Sequence, residues 1–373
     1  MTRPAHWLVL ASHIPPGGGL GGVVRYTAEL MRALAARDDV VLSAVTTRRS
    51  AETVAELVGD PARVHALPDL PTAALSVAER YLPLRGRSGD AAGPVDVVWG
   101  PKHLLPRSLP ADGPVGVLTV HDMLLFDRAQ DYGGAKGVLL GRPYLASIRQ
   151  ADVCLCVSEA TRARLLHHVP SATPAVTPLA TAVGLREAVP EPVPALAGKR
   201  FALVVGDATP RKNLGTLVDS WAAVRAVVPD AVLAVVGPPS WGRTEQGEAY
   251  ERLRAAGALV ALGHVPDAQL AWCYSHAAVV ACPSLIEGFG LPAAEAVALG
   301  APLVTSVDPA LREASGGHAL AAVPATDGAA WVAALTRALQ VPWQPRTPLP
   351  EPRTWDDVAA DTVAAVSAVP AVR

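Results

Sequence analysis

Four cysteines in 373 residues are too few for a disulfide framework, and no two have the spacing of a structural zinc site. An excess of either charge is also missing. Lys and Arg number 32 against 34 Asp and Glu, a formal net charge of −2 and a pI near 6.6. Such a balance offers no basic face for a phosphate backbone, so no nucleic-acid partner is expected. Long uncharged apolar runs are lacking too. Mean hydropathy is +0.28, yet the most apolar stretch, 268–286, carries Gln269, Ser275, His276 and Pro283 and reads as a core helix followed by a strand. The N-terminal MTRPAHWLVLASHIPPGG breaks into prolines and glycines after a short apolar run, unlike a secretory peptide. No repeat of solenoid period is visible. The expectation is a soluble, cytoplasmic protein.

What is present is apolar material in short, regularly spaced pieces. Half of the residues are hydrophobic, enough for large cores, and the length exceeds what one core serves, so two domains are expected. Strands are predicted at 7–12, 40–46, 95–99, 115–120 and 152–157, with a helix at 23–36. Continuous apolar runs rather than strict alternation mark strands covered on both faces, as in a parallel sheet between helices. The rhythm pauses at the proline-rich run EAVPEPVPALAGK, which reads as a linker over 186–199. It restarts with strands at 201–205, 231–236, 259–262, 278–282 and 302–305, and helices at 214–227, 267–276 and 329–339. A second proline-rich run, 341–352, precedes a last helix at 355–366. The implied fold is α/β, two Rossmann-like doubly wound parallel sheets with a cleft between them. The domains are expected at 1–185 and 200–350, with 351–373 as a terminal helical segment.

Three loops and one histidine carry the candidate chemistry. Gly17-Gly18-Gly19-Leu20-Gly21-Gly22 lies between a strand and a helix and matches G-x-G-x-x-G; with Arg48 and Arg49 it makes an NADP-dependent oxidoreductase a rival reading. The four residues His13-Ile14-Pro15-Pro16 lengthen that turn beyond the dinucleotide fingerprint. Glycine amides ahead of a helix suit any anion. The run Pro283-Ser284-Leu285-Ile286-Glu287-Gly288-Phe289-Gly290-Leu291-Pro292-Ala293-Ala294-Glu295 is a glycine-containing loop entering a short helix over 292–299. Its amides favour a phosphate, and its two carboxylates can border that spot and accept from vicinal hydroxyls. Gly206-Asp207-Ala208-Thr209-Pro210-Arg211-Lys212-Asn213 places adjacent cations where a pyrophosphate could lie. His121-Asp122 ends a strand at its carboxyl end. Taken alone, each also has a structural reading, weakest for the Glu287–Glu295 loop and strongest for His121.

Together these residues resemble the retaining nucleotide-sugar glycosyltransferases of family 4, which have the two-domain GT-B fold. The resemblance runs through Gly21-Gly22-Val23-x-Arg25-Tyr26, Val120-His121-Asp122, Val157-Ser158-Glu159, Pro210-Arg211-Lys212-Asn213, Gly263-His264-Val265-Pro266-Asp267 and Glu287-Gly-Phe-Gly-Leu-Pro-x-x-Glu295, to Trp355 and the final helix. It covers essentially the whole chain. It implies sugar transfer from a nucleoside-diphosphate donor to an acceptor hydroxyl, the first domain binding acceptor, the second donor, and the final helix crossing back to the first.

In that family's terms, Glu295 would hold the ribose and Glu287 the donor sugar. Gly288, Phe289, Gly290 and Leu291 would meet sugar and phosphates. Arg211 and Lys212 would stabilise the leaving diphosphate, Gly21 and Gly22 would approach it, and His121 would touch the donor sugar. The base would rest near 236–241 and His264-Val265. No D-x-D motif occurs, so no metal and no cofactor is expected; basic side chains and helix dipoles would serve instead. Glu287 is not taken as a nucleophile. Asp207 stands where many members carry Arg. The Pro-Arg-Lys-Asn variant points to a GDP-mannose-like donor, with UDP- and dTDP-sugars as alternatives. The acceptor would be a saccharide, a natural product or a lipid-linked intermediate. Lys136, Arg142 and Arg149 give at most weak peripheral membrane contact, Pro143 being expected to interrupt their helix. A nucleotide-sugar epimerase or hydrolase on the same fold is a further alternative, and a two-domain sugar-binding protein a more distant one.

Overall fold

The computed structural model describes residues 3–19, 21–81, 93–110, 112–132, 134–207, 209–237, 247–341 and 352–369, and among these it leaves aside the side chains of 72, 73, 76, 77, 132 and 134–139. They form two compact units, 1–180 with 353–373, and 181–352.

The first unit holds seven strands: β1 (Ala5–Leu10), β2 (Val40–Thr47), β3 (Val64–Leu67), β4 (Val97–Gly100), β5 (Val115–Val120), β6 (Val153–Cys156) and β7 (Pro174–Val176). Their order is β3-β2-β1-β4-β5-β6-β7, and every pairing is parallel. β4 is buried along its whole length and β1 at all but its first residue, which is why both read as unbroken apolar runs. The helix Gly22–Ala35 buries Tyr26, Thr27, Leu30, Met31 and Leu34, one stripe at helical spacing. The terminal helix Trp355–Ser367 begins with a capping box between Thr354 and Asp357. Its Trp355 packs edge-on to Tyr26 of Gly22–Ala35, ring centroids 6.0 Å apart.

The second unit has six parallel strands: β8 (Phe201–Val205), β9 (Val232–Val236), β10 (Leu259–Gly263), β11 (Val279–Cys282), β12 (Leu303–Ser306) and β13 (Ala321–Val323). Their order is β10-β9-β8-β11-β12-β13. Side chains alternate between two apolar layers. Phe201 and Leu203 join Trp272 and Tyr274 on one face; Ala202 and Val204 join Trp221 and Trp331 on the other. The proline-rich run 186–199 is mostly exposed but buries Val193 and Leu196 in the first of these layers.

The structure differs from the sequence reading in two respects. Strands β3, β7 and β13 went unrecognised because they are edge strands of three or four residues, mostly half-exposed. The helix Gly134–Gln150 runs through Pro143, and the Pro143 carbonyl accepts from the Ser147 hydroxyl at 3.0 Å. Of the proline-rich run 341–352, residues 342–351 lie outside the described set.

Each sheet reverses its winding once, between β1 and β4 in the first unit and between β8 and β11 in the second. In open α/β sheets the crevice beyond the carboxyl ends at that reversal is the general place for a ligand.

Candidate active site

In the second unit the two loops that flank this reversal are those singled out in the sequence. After β8 the chain passes Gly206, at φ 144°, where a Cβ would stand 3.3 Å from Lys212 Cε. The missing side chain leaves room for Lys212 to fold back over the loop. A short turn over Pro210–Lys212 ends at Asn213, the one non-glycine residue with positive φ (54°) among those described. Its amide donates to the Pro283 carbonyl at 3.0 Å and the Ala325 carbonyl at 2.7 Å, and the Leu285 N–H donates to the Arg211 carbonyl at 2.8 Å. The loops after β8 and β11 are thereby stitched together.

Their side chains meet at Glu287. Its Oε1 accepts from Lys212 Nζ at 2.5 Å and Ser284 Oγ at 2.7 Å, and its Oε2 accepts from Arg211 Nη1 at 2.9 Å. The Glu287 side chain is only 8% exposed, Lys212 14% and Arg211 27%. Burial alone would push this carboxyl up. The charges of Lys212 and Arg211, with hydrogen bonds from Lys212 and Ser284, outweigh it and bring the pKa to about 2. Asp207 is engaged separately, accepting from the Thr209 hydroxyl at 2.8 Å.

Glu295 belongs to a second cluster. Its helix, Leu291–Ala298, starts from Gly290 at φ 100°, where any Cβ would come within 2.6 Å of Leu311 Cδ2. Glu295 is buried, and its Oε2 accepts from the Tyr274 hydroxyl at 2.6 Å. Gly288 and Leu291 are half-buried, Phe289 and Gly290 buried. His264 is exposed, whereas the Val265 side chain belongs to the apolar core. Of the stretch 236–241, residues 238–241 lie outside the described set.

The remaining predicted residues are in the first unit. Gly21, at φ 119°, precedes Gly22 at the start of Gly22–Ala35, and both are exposed. His121 follows β5. Its Nε2 faces the Pro101 carbonyl at 2.8 Å, and a carbonyl can only accept, so Nε2 carries the proton and Nδ1 is the acceptor. Its ring meets Tyr26 edge-on at 4.8 Å. The Tyr26 hydroxyl and Trp99 Nε1 each lie 3.0 Å from Thr119 Oγ1. Burial lowers the His121 pKa, against the raising pull of the Pro101 bond and Asp122, and the ring is neutral at neutral pH.

Two family descriptions divide the chain between them. "Glycosyltransferase Family 4" matches residues 20–180 and "Glycosyl transferases group 1" matches residues 199–341. The chain belongs to the family 4 glycosyltransferases. Similar curated proteins are the O-antigen chain mannosyltransferase B of Escherichia coli, 30% identical over 240 residues, and the MMP α-(1→4)-mannosyltransferase of Mycolicibacterium hassiacum, 39% identical over 107 residues. The match spans 61% of both chains for the first and 26% for the second, so the chain covers less than two thirds of these relatives' length. Among solved structures, a sucrose-phosphate synthase from Thermosynechococcus elongatus aligns over 98% of this chain and 94% of its own, with TM-score 0.65 and 20% identity. AviGT4, a glycosyltransferase involved in avilamycin A biosynthesis, aligns over 98% and 97%, with TM-score 0.52 and 15% identity. The fold is GT-B.

Within this family 4 chain, some residues at the two clusters carried no sequence signal. Tyr274 sits in a helix whose neighbours 270–273 are all buried, so it reads as core. Ser284 stands in the motif, but its bond to Glu287 is visible only in three dimensions. Among the described residues no three His, Cys, Asp or Glu side chains converge as a metal's ligands would, and no helix is long and apolar enough to cross a membrane.

Proposed function

We propose that the chain transfers a sugar from a nucleoside-diphosphate donor to a hydroxyl of a saccharide or other small acceptor, with retention and without a metal. The observation that carries this reading is the convergence of Lys212 and Arg211 on buried Glu287 at the carboxyl ends of β8 and β11. When the bond from the sugar's anomeric carbon to the phosphate oxygen breaks, its electron pair leaves with the diphosphate. Cations already held in place meet that charge without reorganising, which is where electrostatic catalysis gains most. Lys212 has three N–H donors and Glu287 takes one. In this reading Glu287 holds the cation pair as well as bordering the donor sugar, and Glu295, fixed by Tyr274, accepts from the ribose hydroxyls. The N-terminus of Leu291–Ala298 adds a positive end near the phosphates.

The acceptor oxygen forms its bond on the face the diphosphate leaves, and its proton passes to the leaving phosphate oxygen. No side chain need act as nucleophile. His121, with its Nε2 proton committed to Pro101, offers Nδ1 as an acceptor to a hydroxyl of the donor sugar. The Pro210-Arg211-Lys212-Asn213 run and the two relatives named as mannosyltransferases favour a GDP-mannose-like donor.

A thermal-shift panel of UDP, GDP, dTDP, ADP and NADPH tests the reading, because a ligand of the native state stabilises it by mass action. GDP is expected to give the largest shift. A shift with NADPH and none with any diphosphate would favour the oxidoreductase reading of Gly17–Gly22 with Arg48 and Arg49. Free sugar released at equal rate with and without acceptor would favour a hydrolase.

A further inference from the structure

The first unit has its own cavity at the winding reversal, beyond the carboxyl ends of β1 and β4. Its volume is about 280 Å³, close to the lower edge of small-ligand sites, and its lining includes none of the residues assigned to the donor. Ser12, His13, Glu79, Lys102 and His103 supply its polar wall, and Ile14, Leu75 and Leu104 an apolar one. Glu79 Oε1 accepts from the Ser12 backbone N–H at 3.3 Å, and the charge of Lys102 acts on it. At the rim Arg49 stands 3.6 Å from Asp69.

The charges in this cavity therefore balance in pairs, Lys102 with Glu79 and Arg49 with Asp69. The two imidazoles add none. Burial, then the charge of Lys102, bring His13 to about 3 and His103 to about 4, so both are neutral near pH 7. An anionic ligand would find no surplus cation here. A purely apolar one would strip water from Glu79 and Lys102 and return no hydrogen bond. A ring bearing several hydroxyls satisfies each group, donating to Glu79, accepting from Lys102 and laying C–H faces on Ile14, Leu75 and Leu104. The cavity also adjoins His121, whose Nε2 donates to the carbonyl of Pro101, a lining residue, at 2.8 Å.

We propose that this cavity holds the acceptor's end group, that the group is an uncharged sugar ring, and that Glu79 and Lys102 are its polar anchors. This rests on the glycosyltransferase reading above. The test is isothermal titration, without donor, of the full chain with methyl glycosides of mannose, glucose, galactose and rhamnose and with the corresponding sugar phosphates. At least one neutral glycoside should bind more tightly than its phosphate. Its affinity should fall about tenfold or more in both Glu79→Gln and Lys102→Met, the loss expected of one hydrogen bond to a charged group. A thermal melt of each variant checks that it is folded, and the near-isosteric Glu79→Gln stands if Lys102→Met is not. Tighter binding of a phosphate, no binding of any neutral glycoside, or unchanged affinity in a folded variant overturns the proposal. Nucleoside-diphosphate stabilisation of the unaltered chain is read separately. Its absence refutes the transferase reading and leaves the sugar titration to stand or fall alone.

Discussion

In the proposed reaction the chemistry turns on Lys212, which reaches Glu287 at 2.5 Å from a nearly buried position. Lys212→Ala should lower turnover by on the order of a hundredfold or more, as for a lost transition-state donor; near-normal turnover in steady-state assays would remove it from the mechanism. Tyr274→Phe should act differently. It leaves Glu295 without its 2.6 Å donor and should cost about 1–3 kcal/mol of stability while raising KM for the donor with kcat little changed. A fall in kcat at constant KM would place Glu295 at the reacting centre instead. The separate membership of these clusters was legible in part. The Arg211-Lys212 and Glu287–Glu295 loops declare themselves by lying between strand and helix. That Glu287 binds both cations does not, because those contacts join positions 75 and 76 residues apart.

At the scale of elements, Asn213 ties the two site loops together. It combines a left-handed backbone with two amide hydrogen bonds, so Asn213→Gly loses the bonds and keeps the conformation, whereas Asn213→Ala loses both. Urea unfolding should show Ala costing about 1 kcal/mol more than Gly; equal costs would mean the conformation carries no penalty. The central strands and long helices were legible because burial on two faces writes itself as apolar runs, as in β4 and β8. The edge strands were not: β3 is four residues long with three half-buried, one exposed and none buried, like a loop. Pro143 shows the converse, a helix-breaking signal overridden where Gly134–Gln150 continues past it.

For the whole molecule, acid should loosen the two units in sequence. His13, His103 and His121 all have pKa values lowered by burial, so the unfolded chain binds more protons below about 6.5 and the first unit loses stability as pH falls from there. Glu79, raised by burial, opposes this as one group against three. In the second unit Glu287 is lowered from 4.5 to about 2, and its contribution, on the order of 3 kcal/mol, is kept above 4.5 and lost between there and 2. Hydrogen exchange at pH 5 should therefore show protection falling first in residues of the first unit; earlier loss around 284–298 would contradict the ion-pair account.

The central claim is that the chain moves a sugar from a diphosphate with retention. The most direct measurement is NMR of the products when GDP-mannose, UDP-glucose or dTDP-rhamnose is incubated with a neutral saccharide acceptor. One donor is predicted to yield nucleoside diphosphate and a new glycoside in equal amounts, the glycoside keeping the donor's anomeric configuration. An inverted anomer, or free sugar as the only product in the presence of acceptor, would contradict it.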